Sequence, residues 1–103
     1  MHDAKIYQKF DEILIAKRKS RLNPNRDKFL AVLSYCLNSL GEDYRLILRK
    51  SYFENCYKFW WLDYFCKSSY YRKRFIAISS FVRLYEMIYE NVNDLSIYLS
   101  YAR

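Results

Sequence analysis

The segment DYFCKSSYYRKRF, residues 63–75, holds the residues of this chain best suited to chemistry. A serine able to cap a helix is followed by two tyrosines and by the consecutive cations Arg72, Lys73 and Arg74. The Ser68 hydroxyl can accept a hydrogen bond from an unpaired amide of a first helical turn, so the spacing predicts a helix that starts there and places the cations one to two turns in. No acid occurs between Asp63 and Glu86, whereas Lys67, Arg72, Lys73, Arg74 and Arg83 do. Cations without acidic neighbours call for an anion. A helix opening in this way suits the major groove of DNA, where arginine pairs with guanine and hydroxyls contact bases or phosphates; Arg45, Arg49, Lys50, Lys58 and Lys67 would flank it on phosphates.

The elements that must position this segment are helical. One glycine and one proline in 103 residues leave little turn punctuation for hairpins, and an apolar content of 52% argues against disorder. The length suits one domain, residues 1–103, of four to six helices. Helical spacing groups Ile6, Phe10, Ile13, Leu14 and Lys17 in a first helix over residues 3–20, which ends in a basic block at Lys17, Arg18, Lys19 and Arg21. Asn23 as cap and Pro24 as first helical residue predict a second helix to Leu40, with Phe29, Leu30, Leu33, Cys36, Leu37 and Leu40 inward. Gly41 stops it. Glu42 and Asp43 open a third, which continues the apolar face through Tyr44, Ile47, Leu48, Ser51 and Tyr52.

A short fourth helix is expected over residues 56–65, with Phe59, Trp60, Phe65 and either Leu62 or Trp61 inward. The fifth and longest carries the stripe Tyr71, Phe75, Ile78, Val82, Tyr85, Tyr89 and Val92, beside Ala77, Phe81, Leu84 and Ile88. Its outer face is Arg72, Ile76, Ser79, Arg83, Glu86 and Glu90. This phase points Tyr71 inward and leaves Tyr70 exposed. So long a repeat needs a partner: the first helix is expected, and a second copy of the chain, a homodimer, is the alternative. Leu95, Tyr98 and Leu99 are expected in a last short helix.

In this order of elements, LNSLGEDYRLILRKSYFE followed by YKFWWLDYFCKSSYYRKRFIAISSF resembles the helix-turn-helix of sigma factor region 4 and, closer still, small phage-type transcriptional regulators of the ArpU class. Leu40, Glu42, Asp43, Tyr44, Arg45, Ile47, Leu48, Tyr52 and Phe53 occupy the positions of the leucine, acidic start, arginine-bearing helix and aromatic step. The resemblance covers residues 37–81 and implies a helix-turn-helix over about residues 56–81. It implies Ser68 as cap, Tyr71 as inward anchor, and Ser69, Tyr70, Arg72, Lys73 and Ile76 as DNA-binding positions; Arg74 joins them as part of the uncompensated cation cluster. The chain departs from the pattern at Leu62 and Cys66, where a small alanine and a turn glycine are usual, and at Trp60 and Trp61.

A formal net charge of +7 and a pI near 9.4 favour a polyanionic partner, double-stranded DNA first. The three cysteines form no CxxC pair, and His2 is the single histidine, so neither a disulfide framework nor a metal site is expected. Cys36, Cys56 and Cys66 read as buried small hydrophobes of a cytoplasmic protein. The longest uncharged stretch, residues 29–41, is too short to span a membrane, and the N-terminal residues do not form a secretory signal. Paired acids are confined to Asp11 with Glu12 and Glu42 with Asp43, and there is no glycine-rich phosphate loop; catalysis and a cofactor are not expected. The expectation is therefore an all-α, DNA-binding transcriptional regulator. The alternative is a degenerate sigma-like module that binds a protein, such as RNA polymerase, through its long helix or a Trp60 and Trp61 patch.

Overall fold

Periodic apolar stripes fold this chain as an all-α domain, in a computed structural model that describes residues 2–20, 24–54 and 56–91. The helices are α1 (His2–Lys19), α2 (Arg26–Asn38), α3 (Glu42–Leu48) and α4 (Lys67–Asn91), with no strand among the described residues. A π-helical turn, Arg49–Phe53, extends α3, and a 3₁₀ turn, Trp60–Asp63, precedes α4. The expected terminal helix around Leu95, Tyr98 and Leu99 lies outside the described residues, as do the Asn23 cap, Arg21 and Val92.

α4 is the element on which the others pack. Phe10 and Ile13 of α1 are buried, and the Phe10 ring meets Phe81 of α4 edge-on at 5.7 Å and Tyr52 at 4.9 Å. Tyr7 reaches Phe75, Phe29 of α2 reaches Tyr85, and Lys9 pairs with Glu86 at 3.4 Å. From Phe75 to Tyr85 the stripe of α4 is thus covered from within the chain, in part by α1 as expected. Ser79, expected on the outer face, is buried, because the middle turns of α4 are covered over more than half their circumference.

Local physics sets the helix ends. Pro24 sits in a turn rather than at the first helical position; α2 begins two residues later, where the Phe29 amide donates to the Asn25 carbonyl at 3.0 Å. It also ends earlier than expected, at Asn38, although Leu40 is still buried. Gly41 precedes α3 with extended backbone, and a β-carbon there would come within 3.3 Å of the Tyr44 ring, so the absent side chain permits that close approach. The Glu54 amide donates to the Arg49 carbonyl five residues back, at 2.7 Å, the bond that defines the wider π turn.

The expected fourth helix over residues 56–65 is reduced to the single 3₁₀ turn. Trp60 and Trp61 face inward, but Phe59 and Leu62 are exposed. Four consecutive bulky residues cannot all share one side of so short a turn, and the two indoles take the buried places. Phe81→Ala should lower stability by about 3 to 5 kcal/mol, measured by chemical denaturation, because it empties the space filled against Phe10 and Phe53.

Candidate nucleic-acid interface

Positioning of the basic segment begins with an aromatic platform beneath the first turns of α4. Tyr70 lies flat on Trp61, with ring centroids 4.4 Å apart and planes 6° from parallel. Its hydroxyl is 3.0 Å from Ser51 Oγ, which also accepts the Trp60 indole N–H at 3.1 Å. A tyrosine can be buried here because its polar tip has a partner. Tyr70 is 4% exposed and Tyr71 is 42% exposed, the reverse of the expected order. The buried stripe of α4 runs through Tyr70, Ala77 and Phe81, and of these Tyr70 is the one on the platform; Tyr71 meets Trp61 edge-on at 5.8 Å and the Tyr70 ring at 5.2 Å. Tyr70 is therefore not among the exposed residues expected to face DNA, and Tyr71 stands exposed beside them.

The start of α4 also differs from expectation. The helix begins at Lys67, and the Tyr70 amide donates to the Cys66 carbonyl at 2.9 Å, so Cys66 rather than Ser68 occupies the capping position. The Ser69 amide and the Ser68 hydroxyl both hydrogen-bond the exposed Cys66 sulfur, the hydroxyl at 3.7 Å, and hold its pKa below the ordinary thiol value. Cys56 is half-buried, and Cys36 alone behaves as the expected core cysteine, its pKa pushed up to about 12 by burial.

The cations sort into three groups. Lys67 and Arg72 are exposed on the first turns of α4, with Ser68, Tyr71 and Ile76 exposed around them. Lys73 turns the other way and pairs with Asp43 of α3 at 2.6 Å, an acid distant in sequence that the expectation of unpaired cations did not include. Arg74 is half-buried, with its guanidinium 4.8 Å from the centre of the Tyr71 ring and a hydrogen bond shared with Tyr7. Ser69 is half-buried as well. Of the expected flanking residues, Arg49 is held by Glu54 at 2.7 Å, Lys50 and Lys58 lie over the Trp60 and Phe59 rings, and Arg45 is half-buried on α3.

Next to this surface, Tyr57, Phe59, Leu62 and Tyr64 are exposed around the 3₁₀ turn. Sequence reasoning placed apolar contact at Trp60 and Trp61, which are instead buried. Among the described residues no cluster of histidine, cysteine or acidic side chains could hold a metal ion, and no helix is long and apolar enough to cross a membrane. No family model, curated protein or solved structure matches the chain.

Two measurements check this geometry. Tyr70→Ala should cost roughly 3 kcal/mol or more in a denaturation experiment and Tyr71→Ala clearly less, as expected for a buried against a half-open aromatic. Brief iodoacetamide treatment near neutral pH should modify Cys66, whose lowered pKa raises its thiolate fraction, well before Cys36, whose raised pKa and burial suppress it. Equal labelling rates at the two sites would contradict the capping role of Cys66.

Proposed function

We propose that the chain is a DNA-binding transcriptional regulator that presents the first turns of α4 to the major groove. The observation that carries this reading is the exposed pair Lys67 and Arg72 on α4, which have no acidic partner among the described residues, with Tyr71 and Ile76 beside them and the opposite side of the helix anchored through Tyr70. A reading helix needs both properties, an outward polar face and an inward side that holds it rigidly. In this reading Arg72 contacts a base edge, Ser68 and Tyr71 contact bases or phosphates, Ile76 meets an apolar base edge, and Lys67, Lys58 and Lys50 neutralise phosphates. Lys73 and Arg74, engaged with Asp43 and Tyr71, are removed from the reading set and act as struts. The motifs of residues 37–81 that resemble sigma region 4 and ArpU-type regulators imply the same assignment, with a 3₁₀ turn where the resemblance implies a helix.

A protein-binding module is the second reading, with RNA polymerase the partner that the sigma-like pattern suggests. The exposed run Tyr57, Phe59, Leu62 and Tyr64 favours it. Ionic strength separates the two, because phosphate neutralisation makes affinity fall steeply with salt while an apolar interface is far less sensitive.

Arg72→Ala should weaken binding to duplex DNA by about 1 to 3 kcal/mol in a fluorescence anisotropy titration, with helicity unchanged. Lys73→Ala should have a much smaller effect. Equal affinity of the Arg72 variant and the parent across salt concentrations would exclude the groove assignment and leave the protein-binding reading.

A further inference from the structure

The widened π turn leaves a recess of about 170 Å³ between Arg49–Phe53, the segment 56–60 and α4. Three cations from three separate stretches line it: Lys50, Lys58 and Arg74. Ser51, Trp60 and Tyr70 form part of its wall, and no carboxylate is among the lining residues. The acid adjoining it in sequence, Glu54, is held by Arg49 at 2.7 Å. The Nε–H of Arg74 is buried and has no acceptor among the described residues. Three cations around one recess with no carboxylate in its lining repel one another, and an anion there would neutralise them.

Size narrows the ligand. The recess is smaller than the roughly 300 Å³ and more of pockets that enclose whole organic ligands. It suits one tetrahedral anionic group entering end-on. A phosphodiester continues on both sides and fits a groove; a terminal phosphate ends in the site, and its second negative charge matches a triply cationic lining.

We propose that this recess binds a phosphate monoester, at the 5′ end of a nucleic acid strand or on a free nucleotide, through Lys50, Lys58 and Arg74. The site stands on the recess alone and does not depend on α4 reading a duplex. Arg74 supplies the planar donor, the two lysines add mobile charge at the mouth, and the Trp60 indole in the wall reports occupancy.

The test is an NMR titration that follows the Trp60 and Trp61 indole N–H signals. The probes are inorganic phosphate, adenosine 5′-monophosphate, and one single-stranded oligonucleotide prepared with a 5′-phosphate or a 5′-hydroxyl. The Trp60 signal should move saturably with the phosphate-ended probes while Trp61 moves much less, and the 5′-hydroxyl strand should bind at least about tenfold more weakly at this site. Tighter binding of the phosphorylated strand than of the mononucleotide identifies a strand end as the source, and the reverse order identifies free nucleotide. The surface variant Lys50→Gln, Lys58→Gln, which should keep the fold, should lose about tenfold or more in affinity. An unmoved Trp60 signal with all probes, equal response to the 5′-hydroxyl strand, or parent-like affinity in the double variant would each overturn the proposal.

Discussion

Tyr70 stacked on Trp61 and hydrogen-bonded to Ser51 is the contact that ties the opening turn of α4 to the rest of the domain. Further along, α4 is held by ordinary burial of Phe81, Ile78 and Val82 against α1 and α3. Its opening turn lies outside that core and packs on the smaller cluster of Ile47, Trp60 and Trp61. A flat aromatic pair and one shared hydroxyl fix both the depth and the rotation of the helix there, and rotation decides which side chains face water. If Tyr71 were the buried residue, Arg72 and Ile76 would swing with it and a different set of cations would be exposed. The Lys73–Asp43 pair fixes the same rotation from the α3 side, although an exposed pair of this kind contributes only about 0 to 1 kcal/mol. Its role is orientation rather than stability.

Much of the scaffold was legible in the amino-acid sequence because its signals were periodic. Phe10 and Ile13 on α1, Leu33 and Cys36 on α2, and Ile47 and Leu48 on α3 are buried as their spacing predicts. The misreadings lie where periodicity had competition. Between residues 56 and 66, almost every side chain is bulky and apolar, so no spacing distinguished a helix from a turn, and burial of the two indoles decided the outcome. At Tyr70 and Tyr71 two stripes of nearly equal apolarity ran side by side. The choice between them rested on the Trp61 ring, a contact that spacing along α4 does not encode. The pairing of Lys73 with Asp43 bridges 30 positions, which a local count of charges cannot detect.

Charge is partitioned rather than spread. Some cations of residues 45–74 are spent on structure: Arg49 on Glu54, Lys73 on Asp43, and Arg74 against the Tyr71 ring. Lys67 and Arg72 remain available on the outer face of α4, while Lys50 and Lys58 border the recess. Net charge alone would have treated these groups as interchangeable, yet their surroundings give them different uses. Tyrosine is partitioned in the same way. Tyr70 and Tyr52 are structural, whereas Tyr57, Tyr64 and Tyr71 present their rings to solvent.

The π turn at Arg49–Phe53 borders one of the hollows in the surface of this aromatic chain. Hollows in proteins usually arise where small side chains stand among large ones, but this stretch reads Arg, Lys, Ser, Tyr, Phe and has little bulk to give up. Widening the backbone by one residue per turn makes room without deleting a side chain, and Ser51 sits there as the smallest member of the run. The main chain therefore shares in shaping this hollow with the large side chains that wall it.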